Sequence, residues 1–257
     1  MKTDEADAFV RANSSLRPVP MVPELTLYLA DDAIGVWEAS ERDARRTELP
    51  PPFWAFAWPG GQALARHILD HPEVVAGRSV LDVGSGSGIA AIAAARAGAT
   101  SVLASDVDPV ALAAIRLNAA ANRTRIALTG DVLDGSGEDA DVIIAADIWY
   151  ERRLADRALA LLNRASHHGA HVLIGDIGRA FLPRPVLRDV AAYDVPVQAD
   201  LEDAKVKRVL ILTLLRVPAQ EHDQPPDGGD SRVAAEHGEP DPRRERVQPV
   251  RLVLPDR

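Results

Sequence analysis

The segment Ser79-Val80-Leu81-Asp82-Val83-Gly84-Ser85-Gly86-Ser87-Gly88 constrains this chain more than any other. Five residues suited to a buried strand run into three glycines at alternate positions. An alanine-rich stretch with helical character, 88–97, follows. Glycine reaches positive φ and lets a ligand come close to the backbone. A strand, a glycine turn and a helix open a βαβ unit. In open parallel sheets, ligands bind beyond the carboxyl ends of the strands.

The pattern continues on both sides of this turn. Leu64, Ala65, Ile68 and Leu69 recur on one face and predict a helix over 61–69. Strands are predicted at 101–105, 126–129, 142–146 and 172–175. Helices are predicted at 109–121, with Pro109 in the first turn where no amide is needed, and at 152–166. Residues 182–190 read as a short helix, and 194–198 and 206–215 as two strands with no helix between them. Alternating strands and helices give an α/β fold: a Rossmann-like, mostly parallel sheet with helices on both faces. The final pair forms an antiparallel hairpin at its edge. Residues 1–50 read as an N-terminal extension packing on the domain, with a short helix at 7–12, a proline-rich stretch at 17–23 that no helix tolerates, a weak strand at 25–29 and helical spacing over 31–41. The domain proper spans 51–217. From Pro218 to Arg257, Pro, Gly, Asp, Glu and Arg dominate, and a disordered tail is expected.

Three kinds of glycine turn compete. A dinucleotide fingerprint wants glycine at 89, where Ile89 stands. A phosphate-binding P-loop ends in Gly-Lys-Ser/Thr, which is absent, and a hydrolase elbow centres a serine where this chain has Gly86. A loop for a ligand without phosphate remains, and the methionine part of S-adenosylmethionine is the expected occupant. Asp82, Gly84, Gly86 and Gly88 would form that loop. Asp106 ends the second strand, where a carboxylate accepts ribose hydroxyls, with Val107 beside it. Asp131 and Val132 follow the third strand, at the place for an adenine amino group. Turn chemistry alone explains any one of these residues; with Asp147 after the fourth strand, four in order at four successive strand ends are harder to explain that way.

The fourth strand, Val142-Ile143-Ile144-Ala145-Ala146, ends in Asp147-Ile148-Trp149-Tyr150. Methyl transfer needs the nucleophile within about 3 to 3.5 Å and water excluded. Asp147 would orient an acceptor amine, although a carboxylate also raises an amine's pKa and so opposes its deprotonation. Tyr150 and Trp149 would contact the alkyl stem or an ammonium face, and Trp149 is equally a candidate for the core. Upstream, Pro52-Phe53-Trp54-Ala55-Phe56-Ala57-Trp58-Pro59-Gly60-Gly61-Gln62 concentrates rings in a chain only 4% aromatic. Trp58 and Gly61 would wall the cofactor site, while Phe53 reads as a hydrophobic plug.

Several classes fall away. There is no cysteine, which removes disulfides, thiolate nucleophiles and Cys-ligated zinc. The net charge of -9 argues against a broad nucleic-acid footprint. No apolar run reaches membrane-spanning length. Met1-Lys2-Thr3-Asp4-Glu5 lacks the basic and then apolar pattern of a secretory signal, so a cytoplasmic monomer that holds no metal and meets no membrane is the expectation. His67 and His71 lack the glutamate of a zinc-protease helix at 68 and are expected to face solvent. The Asn-Pro-Pro-Tyr element of many amino-methylating nucleic-acid enzymes is also absent.

The run from Pro51 to Ala65, the glycine segment, Asp106-Val107-Asp108-Pro109, Asp147-Ile148-Trp149-Tyr150 and Gly175-Asp176-Ile177-Gly178-Arg179 together resemble the electron-transfer flavoprotein β-subunit lysine methyltransferase family. Phe9-Val10-Arg11-Ala12-Asn13 resembles its bacterial members. The resemblance covers roughly 8–216. It implies a seven-stranded methyltransferase fold, S-adenosyl-L-methionine as donor, a protein substrate in the electron-transfer flavoprotein β subunit, and Asp147 and Tyr150 on the acceptor side. Ile177 replaces the proline usual in its element. Ribosomal protein L11 methyltransferases share much of the pattern. A small-molecule N- or O-methyltransferase and a non-catalytic adapter on the same fold stay open.

Overall fold

A computed structural model describes residues 3–30, 35–36, 51–135, 139–197 and 205–215. The tail expected over 218–257, and most of the helix expected over 31–41, lie outside these residues.

The central sheet has seven strands: β3 (Ser79–Val83), β4 (Ser101–Ser105), β5 (Ala127–Thr129), β6 (Val142–Ala146), β7 (His171–Asp176), β8 (Leu187–Pro196) and β9 (Val206–Leu214). Their order is β5-β4-β3-β6-β7-β9-β8. β5 through β7 run parallel, and β9 is antiparallel to both neighbours. The strands alternate between two apolar faces. Val80, Val102, Val142, Ile144 and Leu173 join one core. Leu81, Val83, Ile143, Val172 and Ile174 join the other. A strand with both faces apolar must be covered on both. α2 (Pro59–Asp70) and α3 (Ile89–Arg96) cover the first face, and α5 (Arg152–His167) covers the second. α3 is built mostly of alanine and is buried from Ile89 to Ala94, so it lies close on the sheet.

α4 (Pro109–Ala121) begins as its sequence requires. The Asp108 side chain accepts the Val110 amide at 2.8 Å, and Pro109 follows the cap. The N-terminal arm leans on this helix. α1 (Thr3–Asn13) packs there through Ala6 and Val10, with an ion pair between Asp7 and Arg116. β1 (Ser15–Pro18) and β2 (Thr26–Leu29) form a separate antiparallel pair. Asn118 on α4 is fully buried. Its Oδ1 accepts the Tyr28 amide at 2.7 Å, and its Nδ2 donates to the Ser87 carbonyl at 2.8 Å. One carboxamide thus ties the arm to the glycine turn.

The structure departs from the sequence reading in three places. Residues 182–190 are not a helix: a single 3-10 turn, Arg184–Val186, leads into β8, which runs to Pro196. Pro183 and Pro185 deny helical hydrogen bonds, and the chain instead pairs with β9. The strand expected at 194–198 is the far end of this longer edge strand, bulged between Asp189 and Ala191. His67 is buried, not solvent-facing; its Nδ1 lies 3.1 Å from the Tyr193 hydroxyl of β8, and burial lowers its pKa. His71, one turn on, is exposed.

Candidate active site

The glycine turn takes a left-handed backbone at Gly84, Gly86 and Gly88, with φ of 65°, 55° and 82°. A Cβ on Gly84 would lie 2.7 Å from Ile148, and one on Gly88 would lie 3.1 Å from Ile115. At Gly86 a Cβ would meet only the Phe53 carbonyl oxygen, at an ordinary contact distance of 3.9 Å, so the middle of the turn is less crowded than its ends. Two carboxylates hold the turn. Asp82 is buried beneath it, accepting the Ser85 hydroxyl at 2.5 Å and the Ala91 amide at 3.1 Å. Burial pushes its pKa up to about 7 against these bonds. Asp82 therefore braces the turn and the start of α3 from below. Asp106 accepts the Gly86 amide at 2.8 Å through Oδ2 and the Asp108 amide at 2.9 Å through Oδ1. Burial pushes it up to about 6, opposed by those amides. Val107 beside it is exposed.

The opposite wall comes from β6 and β7. Asp147 has φ 58°, a left-handed conformation uncommon outside glycine and best tolerated by Asp and Asn. This twist turns its carboxylate back toward α2. Oδ2 accepts the Gly61 amide at 3.0 Å. Oδ1 accepts Nη2 of Arg179 at 2.8 Å and Nε at 3.2 Å. The group is 9% exposed, and burial raises its pKa to about 6, opposed by the Arg179 charge and assisted by Asp176. Gly60 and Gly175 make the approach of α2 to β7 possible, since a Cβ on Gly60 would sit 2.5 Å from Asp147 Oδ2 and closer still to the Gly175 carbonyl oxygen. Asp176, fully buried, receives the Gly178 and Arg179 amides at 2.6 and 2.7 Å on Oδ1. Burial raises its pKa.

Aromatic rings close the rim. Phe53 lies 5.2 Å from Tyr150 and 5.8 Å from Trp58, centroid to centroid. Trp58 donates its indole N–H to the Phe53 carbonyl at 2.9 Å, and the Arg179 guanidinium sits 5.6 Å from the Trp58 ring. Phe53 thus belongs to the rim rather than to a plug. Tyr150 is 44% exposed, and its pKa is raised to about 12 by partial burial and then by the Asp106 and Glu151 charges.

Not every residue singled out from the sequence faces this space. Trp149 is fully buried among Leu81, Val83, Ile143 and Leu161, with its indole N–H unpaired. It packs in the core rather than at the rim, because the turn at Asp147 sends Tyr150 outward and its neighbour inward. Val132 is buried in the same cluster. Asp131 is exposed and bonded to Arg157 at 2.8 Å and to the Leu133 amide at 2.9 Å, which lower its pKa against the effect of burial. Arg179 and Asn118 were missed: their partners lie 32 and 31 residues away, at distances no local pattern encodes.

A family model described as ribosomal protein L11 methyltransferase matches residues 63–170. The chain is 39% identical over 181 residues to the electron transfer flavoprotein beta subunit lysine methyltransferase of Danio rerio, covering 69% of each protein. Against the protein of the same name in Xenopus laevis it is 41% identical over 188 residues, 70% of this chain and 74% of that one. Among solved structures, a ribosomal protein L11 methylase from Lactobacillus delbrueckii subsp. bulgaricus is 26% identical, covers 63% of this chain and 81% of its own, and has a TM-score of 0.45.

Proposed function

The chain belongs to the electron transfer flavoprotein β subunit lysine methyltransferase family, and we propose that it transfers a methyl group from S-adenosylmethionine to a lysine ε-amine of the electron transfer flavoprotein β subunit. One observation carries the reading. The less crowded middle of the glycine turn at Gly86, anchored by Asp106, faces the same rim as Tyr150, Phe53, Trp58 and the Asp147–Arg179 pair.

The residues present fit the donor. The space beyond Gly86 is the kind of cradle a side chain would fill. Asp106 keeps lone pairs beyond its two amide bonds, and these suit a pair of ribose hydroxyls. When bound, S-adenosylmethionine supplies an electrophilic methyl on a positively charged sulfur. An attacking amine would use its own lone pair for the new N–C bond, and the electron pair of the S–C bond would stay with the donor's sulfur. The amine has first released one proton to solvent.

The chain's own work is binding and orientation. Asp106 holds the turn by the Gly86 amide. Phe53, Trp58 and Tyr150 offer flat apolar faces for the alkyl stem of a lysine. The Tyr150 hydroxyl stays protonated at neutral pH and is available as a donor or acceptor at the mouth. The deciding experiment incubates the chain with labelled S-adenosylmethionine and purified electron transfer flavoprotein, and locates the label by mass spectrometry. Label on a lysine of the β subunit is expected. Label on ribosomal protein or on a low-molecular-weight fraction, with none on that subunit, would refute the acceptor.

A further inference from the structure

Both oxygens of Asp147 are committed. Gly61 takes one, and the fork of Arg179 takes the other. This changes what the carboxylate can do for an incoming lysine. A bare carboxylate beside the acceptor seat would hold the amine as its ammonium ion, which has no lone pair to attack with. A free lysine, with a reference pKa of about 10.4, is already mostly charged at neutral pH, and each further unit costs about tenfold in nucleophile.

The surroundings make that problem acute. Asp106 after β4, Glu151 after β6 and Asp176 at the end of β7 all bring negative charge toward Asp147 or Tyr150, while α2 brings only the Gly61 amide to Asp147. Arg179 is the cation that both Asp147 and Tyr150 feel. Its position is built. Asp176 fixes the backbone amides of Gly178 and Arg179, Gly178 turns the chain at φ 91°, and the guanidinium then bridges Asp147 Oδ1 and the Trp58 ring. A guanidinium stays charged at any working pH, and here its Nε and Nη2 both donate to the one oxygen Oδ1.

We propose that Arg179 is a positioning residue that cancels the charge of Asp147 beside the acceptor seat, so that the carboxylate shapes the rim without trapping the acceptor amine as an ammonium ion. This rests on the methyl-transfer reading above. Asp147 then acts as a strut between α2 and β7, not as a base.

The test is the pH dependence of methyl transfer to the electron transfer flavoprotein β subunit, measured with the full chain between pH 6.5 and 11. Three proteins are compared: wild type, Arg179→Lys and Arg179→Gln. With Arg179→Gln the acidic limb should move up by about one pH unit. The rate at pH 7.5 should fall roughly tenfold and recover to within about threefold of wild type by pH 11. Arg179→Lys keeps the charge, and its limb should stay near that of wild type. The limb belongs to the active fraction, so a partly unfolded variant lowers the plateau without moving it. Coincident limbs for Arg179→Gln and wild type overturn the proposal. So does an Arg179→Gln rate that stays about tenfold low at pH 11, or an Arg179→Lys rate that falls with Arg179→Gln at every pH, because geometry is then what the residue supplies. A wild-type chain that labels another acceptor sinks the acceptor reading instead. The limbs are then compared on that acceptor, and the two failures stay distinct.

Discussion

Replacing Gly60 with alanine sets two effects of opposite sign against each other. Gly60 lies in the first turn of α2. Helix propensity favours alanine over glycine by up to about 1 kcal/mol. The packing opposes it. The new Cβ would lie 2.5 Å from Asp147 Oδ2 and 2.8 Å from its Cγ, and nearer still to the Gly175 carbonyl oxygen. Neither neighbour yields easily: Gly175 is a residue of β7, and Asp147 is clamped by Arg179. Overpacking of this kind costs about 1–3 kcal/mol. If α2 moves away to relieve it, the charged hydrogen bond from the Gly61 amide to Asp147 is lost, at about 1.5–3 kcal/mol. The two costs are alternatives, so after the propensity gain the net is a loss of up to about 3 kcal/mol. For a chain of this size, that lowers the melting temperature by up to roughly 10 °C. Gly178→Ala is the control. Nothing lies within 4 Å of its Cβ, so only the strain of φ 91° remains, about 1–2 kcal/mol. Thermal unfolding followed by circular dichroism measures both. A Gly60→Ala protein that melts within about 2 °C of wild type would refute the claim that this approach between helix and strand is tight.

Three other outcomes are expected. Asp82, Asp106 and Asp147 have folded-state pKa values raised to about 7, 6 and 6, so between pH 4 and 7 the folded chain holds more protons than the unfolded one. Their contribution is present at low pH and lost as pH rises through these values. The melting temperature should therefore be higher at pH 5 than at pH 8, and Asp82→Asn should flatten that slope; an unchanged slope contradicts the assignment. Asp106→Ala removes the acceptor for the Gly86 amide and should weaken S-adenosylmethionine binding at least tenfold by calorimetry, about 1.4 kcal/mol, and equal affinity would displace the cofactor from this turn. Tyr150→Phe keeps the ring against Phe53 and should retain kcat within about threefold, whereas Tyr150→Ala should lose at least about tenfold; equal losses would put the hydroxyl, not the ring, at the centre of its role.

Much of the frame was legible because it is written in local patterns. β3, β4, β6 and α4 fall where their apolar runs and the Asp108–Pro109 cap put them. The region 182–190 misled because Leu182, Val186 and Val190 recur at helical spacing, and an edge strand with one open side shows no clean alternation. Trp149 was ambiguous because its direction depends on the φ of Asp147, two residues earlier, which no composition reveals. Arg179 belongs to a motif that the sequence displayed, but its work depends on a partner at the end of another strand. Helices and strands follow from neighbours in the chain; the clasp follows from neighbours across the sheet.

The left-handed backbone of Asp147 has a consequence for how this position can drift. Most side chains would add strain of about 1–3 kcal/mol there. Glycine, aspartate and asparagine are the residues that accept the conformation readily. Asparagine keeps an oxygen for the Gly61 amide while giving up the anion that faces Arg179. A lineage substituting this residue would thus keep its backbone while shedding both its charge and its acceptor for Arg179 in a single step. The easiest path away from the present chemistry is one that leaves the architecture standing.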